Sequence, residues 1–74
     1  MRRSESEVAV DILKVAIKGA TKTHIIYETN LNYTIVNKYL EMLKEKELIK
    51  QEDKLFITTN KGKTFQEIAK QLKL

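Results

Sequence analysis

The 74-residue sequence predicts one mainly α domain with a small β-hairpin (α+β), in the order helix, helix, helix, hairpin, helix. Three observations carry this expectation. Apolar residues recur at helical spacing in the first, third and last stretches. The period changes to two only within "ELIKQEDKLFIT", residues 47–58. Between the second and third stretches, "TNLNY" (29–33) brackets one leucine with two asparagines, where two helices must meet.

The first helix opens at "SESEVAVDILKVAIKG" (4–19). Ser4 followed by Glu7 is a capping box, each side chain satisfying an orphan amide of the first turn. Val8, Ile12, Val15 and Ala16 then recur at helical spacing beside Leu13. Gly19 stands where a left-handed C-cap residue is wanted. The second helix, "TKTHIIYETN" (21–30), is about two turns long. Thr21 or Thr23 caps it, Ile25, Ile26 and Tyr27 supply apolar surface, and Asn30 ends it in the left-handed conformation that asparagine tolerates.

Leu31 then turns inward. Asn32 caps a third helix that runs to about Lys46, with Val36, Leu40 and Leu43 as its core stripe. Ile35, Tyr39 and Met42 form a second apolar stripe at i, i+4 and i+7, and Tyr39 is expected to pack. Two helices joined by a turn of about three residues make a helix-turn-helix. In the hairpin, Ile49 and Gln51, then Leu55 and Ile57, alternate with polar residues across a turn placed at Glu52–Asp53. Thr59 caps the last helix, "NKGKTFQEIAKQLKL", whose apolar stripe is Phe65, Ile68, Ala69 and Leu72.

Composition narrows the function. The chain has no cysteine and one histidine, so disulfides, thiolate zinc sites and histidine metal sites are ruled out. A domain this small is short of core, and a partner subunit is the remaining source of help. No apolar run approaches a membrane span, and "MRRSESEV" has no signal-peptide core, so a cytoplasmic protein without membrane contact is expected. Net charge is +4 and the sequence pI about 9.4, which favours an anionic partner. Residues 49–74 hold six lysines against three acids, so the excess lies in the C-terminal third. There is no cysteine nucleophile or Gly-rich phosphate loop, and His24 lacks the context of a triad. No enzymatic activity, cofactor, metal or small-molecule ligand is expected.

The order of elements is that of a winged helix-turn-helix. The sequence also resembles the small archaeal winged-helix DNA-binding proteins with a dimerising C-terminal helix. "KTHIIYETNLNY" resembles that family's turn between helices two and three. "YLEMLKEKELI" is similar to the end of its recognition helix, and "LFITTNKGKTF" to its second wing strand and the entry to its last helix. The likeness covers about the whole chain and implies a homodimer on double-stranded DNA. The position of Ile35 is usually polar in that family, and its last helix often continues well beyond the point matching Leu74.

On helix three, Thr34, Asn37, Lys38 and Glu41 share the face opposite Val36, Leu40 and Leu43. Such a face suits the major groove, where asparagine pairs bidentately with adenine; an ordinary solvated face has the same residues. Asn32, Tyr33 and the helix N-terminus suit phosphate. Lys50 and Lys54 flank the wing turn and are the candidate backbone contacts there, although Glu52 and Asp53 oppose phosphate. Lys22 is a further phosphate candidate, with Thr21, Thr23 and His24 near it. Arg2 and Arg3 suit a phosphate-binding arm. Phe65, Ile68, Ala69 and Leu72 are the candidate dimer interface. The expectation is a dimeric, nucleoid-associated transcriptional regulator; the alternatives are a non-specific chromatin-coating protein and a protein–protein interaction module.

Overall fold

A computed structural model describes residues 4–72, the side chain of Leu72 excepted; Arg2 and Arg3 lie outside the described residues. The elements are α1 (Glu5–Val15), α2 (Lys22–Thr29), α3 (Tyr33–Glu45), β1 (Ile49–Glu52), β2 (Leu55–Thr58) and α4 (Asn60–Leu72). This is the predicted α+β winged helix-turn-helix order. The helices surround a core in which Ile12, Leu13, Ile25, Val36, Leu40, Leu43 and Ile49 are fully buried. Leu31, Tyr39, Met42 and Phe65 pack against it half-buried, so the leucine between the two asparagines does anchor the turn.

Local chemistry sets the helix starts. Ser4 Oγ accepts the Glu7 amide and Glu7 Oε1 accepts the Ser4 amide, both at 3.1 Å, completing the capping box. Of the two threonines, Thr21 caps α2, its Oγ1 taking the His24 amide at 3.2 Å. Asn30 ends α2 at φ 58°, ψ 36°, and Asn32 Oδ1 accepts the Ile35 amide at 2.8 Å to start α3.

The end of α1 departs from expectation. Its C-cap is Ala16, not Gly19. Gly19, at φ 95°, lies further on and turns the chain into the bridge between Ala20 and Phe56. The terminal carbonyls of α1 are closed by the wing instead. Thr58 Oγ1 donates to the Leu13 carbonyl at 2.7 Å, and the Thr58 amide to that of Ala16 at 3.0 Å. The Leu13 carbonyl would otherwise be orphaned, whereas that of Ala16 also accepts the Gly19 amide at 3.0 Å. Local sequence cannot reveal a cap supplied from 45 positions away.

The hairpin turn also differs. The register pairs Ile49 with Thr58, Gln51 with Phe56 and Glu52 with Leu55, so the turn is Asp53–Lys54 and not Glu52–Asp53. Asp53 takes a left-handed φ of 59° there. Moving a two-residue turn by one position slides the register by two, so each residue keeps its face and changes its partner: Ile49 meets Thr58 rather than Phe56. Ile49 and Gln51 therefore share a face with Phe56 and Thr58, while Leu55 and Ile57 share one with Lys50 and Glu52. Phe56 is 4% exposed and Leu55 44%, the reverse of the sequence expectation.

At the last junction, Thr59 Oγ1 accepts the Gly62 amide at 3.0 Å, the expected cap of α4, and donates to the Glu47 carbonyl at 2.7 Å. The Thr59 amide donates to the Leu48 carbonyl at 3.1 Å. The start of α4 is thereby tied to the segment joining α3 to the wing.

Candidate nucleic-acid interface

The N-terminal half of α3 projects a mainly polar surface, interrupted by Ile35, which is 38% exposed. Asn32, Tyr33, Thr34, Lys38 and Glu41 are exposed and Asn37 is half-buried. Val36, Leu40 and Leu43, on the opposite side, are sealed in the core, which fixes the rotation of the helix. The free amides at its start carry the positive end of the helix dipole.

Lys22 ties α2 to this face. Its Nζ donates to Asn37 Oδ1 at 2.6 Å and sits 5.2 Å from the Tyr33 ring centroid and 6.0 Å from that of Phe56. An ammonium over aromatic faces is attracted by the ring quadrupole. Lys22, Tyr33 and Asn37, each proposed as a separate contact from sequence, thus form one cluster.

Between α2, α3 and the wing runs a cleft of about 390 Å³, lined by Lys22, Asn37, Glu41, Lys44, Gln51 and Lys54 among others. Lys44 Nζ lies 3.1 Å from Gln51 Oε1 and 3.5 Å from Glu41 Oε2, linking α3 to β1. Lys54 stands in the turn and lines this cleft. Lys50 is on the other face of the hairpin, 3.2 Å from Glu52. The two wing lysines do not act together: one faces the cleft, and the other neutralises an acid of the wing.

Lys44, Gln51 and Phe56 escaped the sequence reading of the site. Lys44 was findable, since Asn37, Glu41 and Lys44 follow i, i+4, i+7 and share one helix face. That Gln51 and Phe56 are cross-strand partners depends on the turn position, which "ED" did not reveal. His24 is exposed, and only its backbone amide takes part in the cap described above.

On the far side, Phe65 is half-buried against the core while Ile68 remains 52% exposed. A groove of about 650 Å³ separates α1 from α4, lined by Val10, Asp11, Phe65, Ile68 and Ala69 among others. Of the four expected interface residues, Phe65, Ile68 and Ala69 border it; the Leu72 side chain is outside the described residues. Among the described residues there is no group of three or more His, Cys, Asp or Glu placed to hold a metal, and no helix long and apolar enough to cross a membrane.

A three-helix core, a two-stranded wing and a polar third helix define a winged helix-turn-helix protein, and the chain belongs to the winged helix-turn-helix family, whose model matches residues 2–74. Among solved structures it is similar to Sso10a-2, a DNA-binding protein from Sulfolobus solfataricus, with 28% identity, a TM-score of 0.82, and coverage of 93% of this chain and 77% of that one. No curated protein matches it.

Proposed function

We propose that this protein binds double-stranded DNA, with α3 in the major groove and the backbone crossing the cleft between α2 and the wing. One observation carries the reading: the polar N-terminal half of α3, with Asn32, Tyr33, Thr34, Asn37 and Lys38, stands beside a cleft bordered by Lys22, Lys44 and Lys54. Base edges are met by the first turns of a recognition helix, and phosphates by lysines and helix N-termini. The likeness to a DNA-binding protein of known structure supports it.

Two finer statements belong to the same proposal. The protein acts as a homodimer, a second copy covering the groove between α1 and α4 through Phe65, Ile68, Ala69 and Leu72. The half-exposed Ile68 supports this. A two-fold axis there would present two copies of α3 to half-sites about one helical turn apart. Such a dimer would serve as a transcriptional regulator in the cytoplasm, on the nucleoid.

Titration of duplex DNA at two salt concentrations tests the reading. Phosphate contacts release counterions, so affinity must fall steeply with salt. Binding that is absent or insensitive to salt would reassign the domain to protein–protein interaction. Equal affinity for all sequences would make it a coating protein.

A further inference from the structure

We infer that Lys22 fixes which base Asn37 reads, turning that asparagine into a donor and favouring guanine over adenine. The inference rests on the proposal that α3 enters the major groove. Its observation is the 2.6 Å contact between Lys22 Nζ and Asn37 Oδ1.

An ammonium has three donors and no acceptor, whereas a carboxamide has an acceptor oxygen and a donor NH2. Only the oxygen of Asn37 can therefore face Lys22, which settles the orientation of the side-chain amide. The contact is held from several sides. Lys22 is half-buried, its ammonium lies near the Tyr33 and Phe56 rings, and the carboxylate of Glu41, one turn along α3, is engaged by Lys44 at 3.5 Å.

Adenine presents an acceptor, N7, beside a donor, the N6 amino group, and asparagine reads it by donating to the first and accepting from the second. That pairing needs Oδ1. Oδ1 keeps a second lone pair, but with an ammonium on the first the adenine amino group would approach a positive charge and share its acceptor with it. Guanine presents two acceptors, N7 and O6. The Nδ2 group of Asn37, a donor only, suits these acceptors. Lys22 is thus a positioning residue that reverses the usual preference of asparagine.

The test is selection from random duplex DNA, followed by competition binding, with wild type, Asn37→Ala and Lys22→Met. Asn37→Ala should flatten the preference at one position of each half-site, which identifies the base it reads. Wild type should choose guanine over adenine there by about 5- to 150-fold, the range of one good bidentate contact. Lys22→Met, which keeps the stem and removes the ammonium, should move the choice toward adenine; a purely structural role would lower affinity without changing the base. If the Asn37-dependent base is adenine in wild type, or if Lys22→Met leaves it guanine, the inference is overturned while the major-groove reading stands. If Asn37→Ala changes no position, Asn37 reads no base and the inference is overturned, while the salt titration above still decides whether duplex DNA is bound. Should Lys22→Met not fold, wild type against Asn37→Ala still decides between guanine and adenine.

Discussion

Replacing Gly62 by alanine should destabilise the protein, although helix propensity predicts the opposite. Gly62 lies in the first turn of α4, where alanine is favoured over glycine by about 1 kcal/mol. A Cβ at this position would fall deep inside contact distance of the Leu48 carbonyl oxygen and 2.7 Å from Thr58 Cγ2. The first obstacle is backbone and cannot rotate away. That same carbonyl accepts the Thr59 amide at 3.1 Å, so relieving the clash by moving α4 stretches this bond as well. Overpacking costs about 1–3 kcal/mol, and a lost hydrogen bond adds about 0.5–1.5 kcal/mol. After subtracting the propensity gain, the net loss is about 2 kcal/mol. For a domain of this size that lowers Tm by roughly 10 °C. Thermal and urea unfolding followed by circular dichroism measure it. A Gly62→Ala protein as stable as wild type, or more so, would refute the claim that α4 packs directly on the Leu48 backbone.

Three further outcomes are expected. Lys54→Ala should weaken DNA binding on any sequence and flatten its salt dependence by about one phosphate, whereas Lys50→Ala, already paired with Glu52 away from the cleft, should change the slope little; salt titrations of both variants compare them. Thr58→Val removes the buried hydroxyl that caps the Leu13 carbonyl, and the orphaned acceptor should lower unfolding free energy by about 1–3 kcal/mol, read from urea midpoints. Ile68→Glu should dissociate the dimer and weaken DNA binding together, since burying an isoleucine side chain is worth about 1.5–3 kcal/mol; a folded wild type that sediments as a monomer at micromolar concentration would remove the dimer and its paired half-sites.

The helices were legible because their signals are local. Ser4 with Glu7, Thr21, Asn30 and Asn32 each act within four residues of themselves, and the apolar stripes of α1 and α3 repeat within a few turns. What escaped depended on distant partners. The closure of α1 by Thr58 and the packing of Gly62 on Leu48 join separated parts of the chain. The wing was mis-set by a single residue, since Asp53 adopts a left-handed φ that glycine or asparagine would have advertised. In the site, the types of residue were readable from α3 alone. Their coupling was not: nothing in the spacing of Lys22 and Asn37 says that one holds the other.

That coupling, and the junction at Thr59, give the domain a physical logic that individual contacts do not. Gln51 of the wing and Glu41 both meet Lys44, Lys22 of α2 meets Asn37, and Thr59 meets Glu47 and Leu48 just beyond α3. Helix α3 is therefore held at its reading face from two elements and at its far end by the start of α4. A recognition helix needs this, because base hydrogen bonds tolerate little rotation while phosphate contacts only set the register. If a second copy docks on α4, the same junction relates the dimer axis to the orientation of α3 in each half-site. Glu47 makes the connection possible with a left-handed φ of 63°, a conformation that is unfavourable for a side chain with a Cβ, yet it leaves the Glu47 carbonyl free to accept the Thr59 hydroxyl.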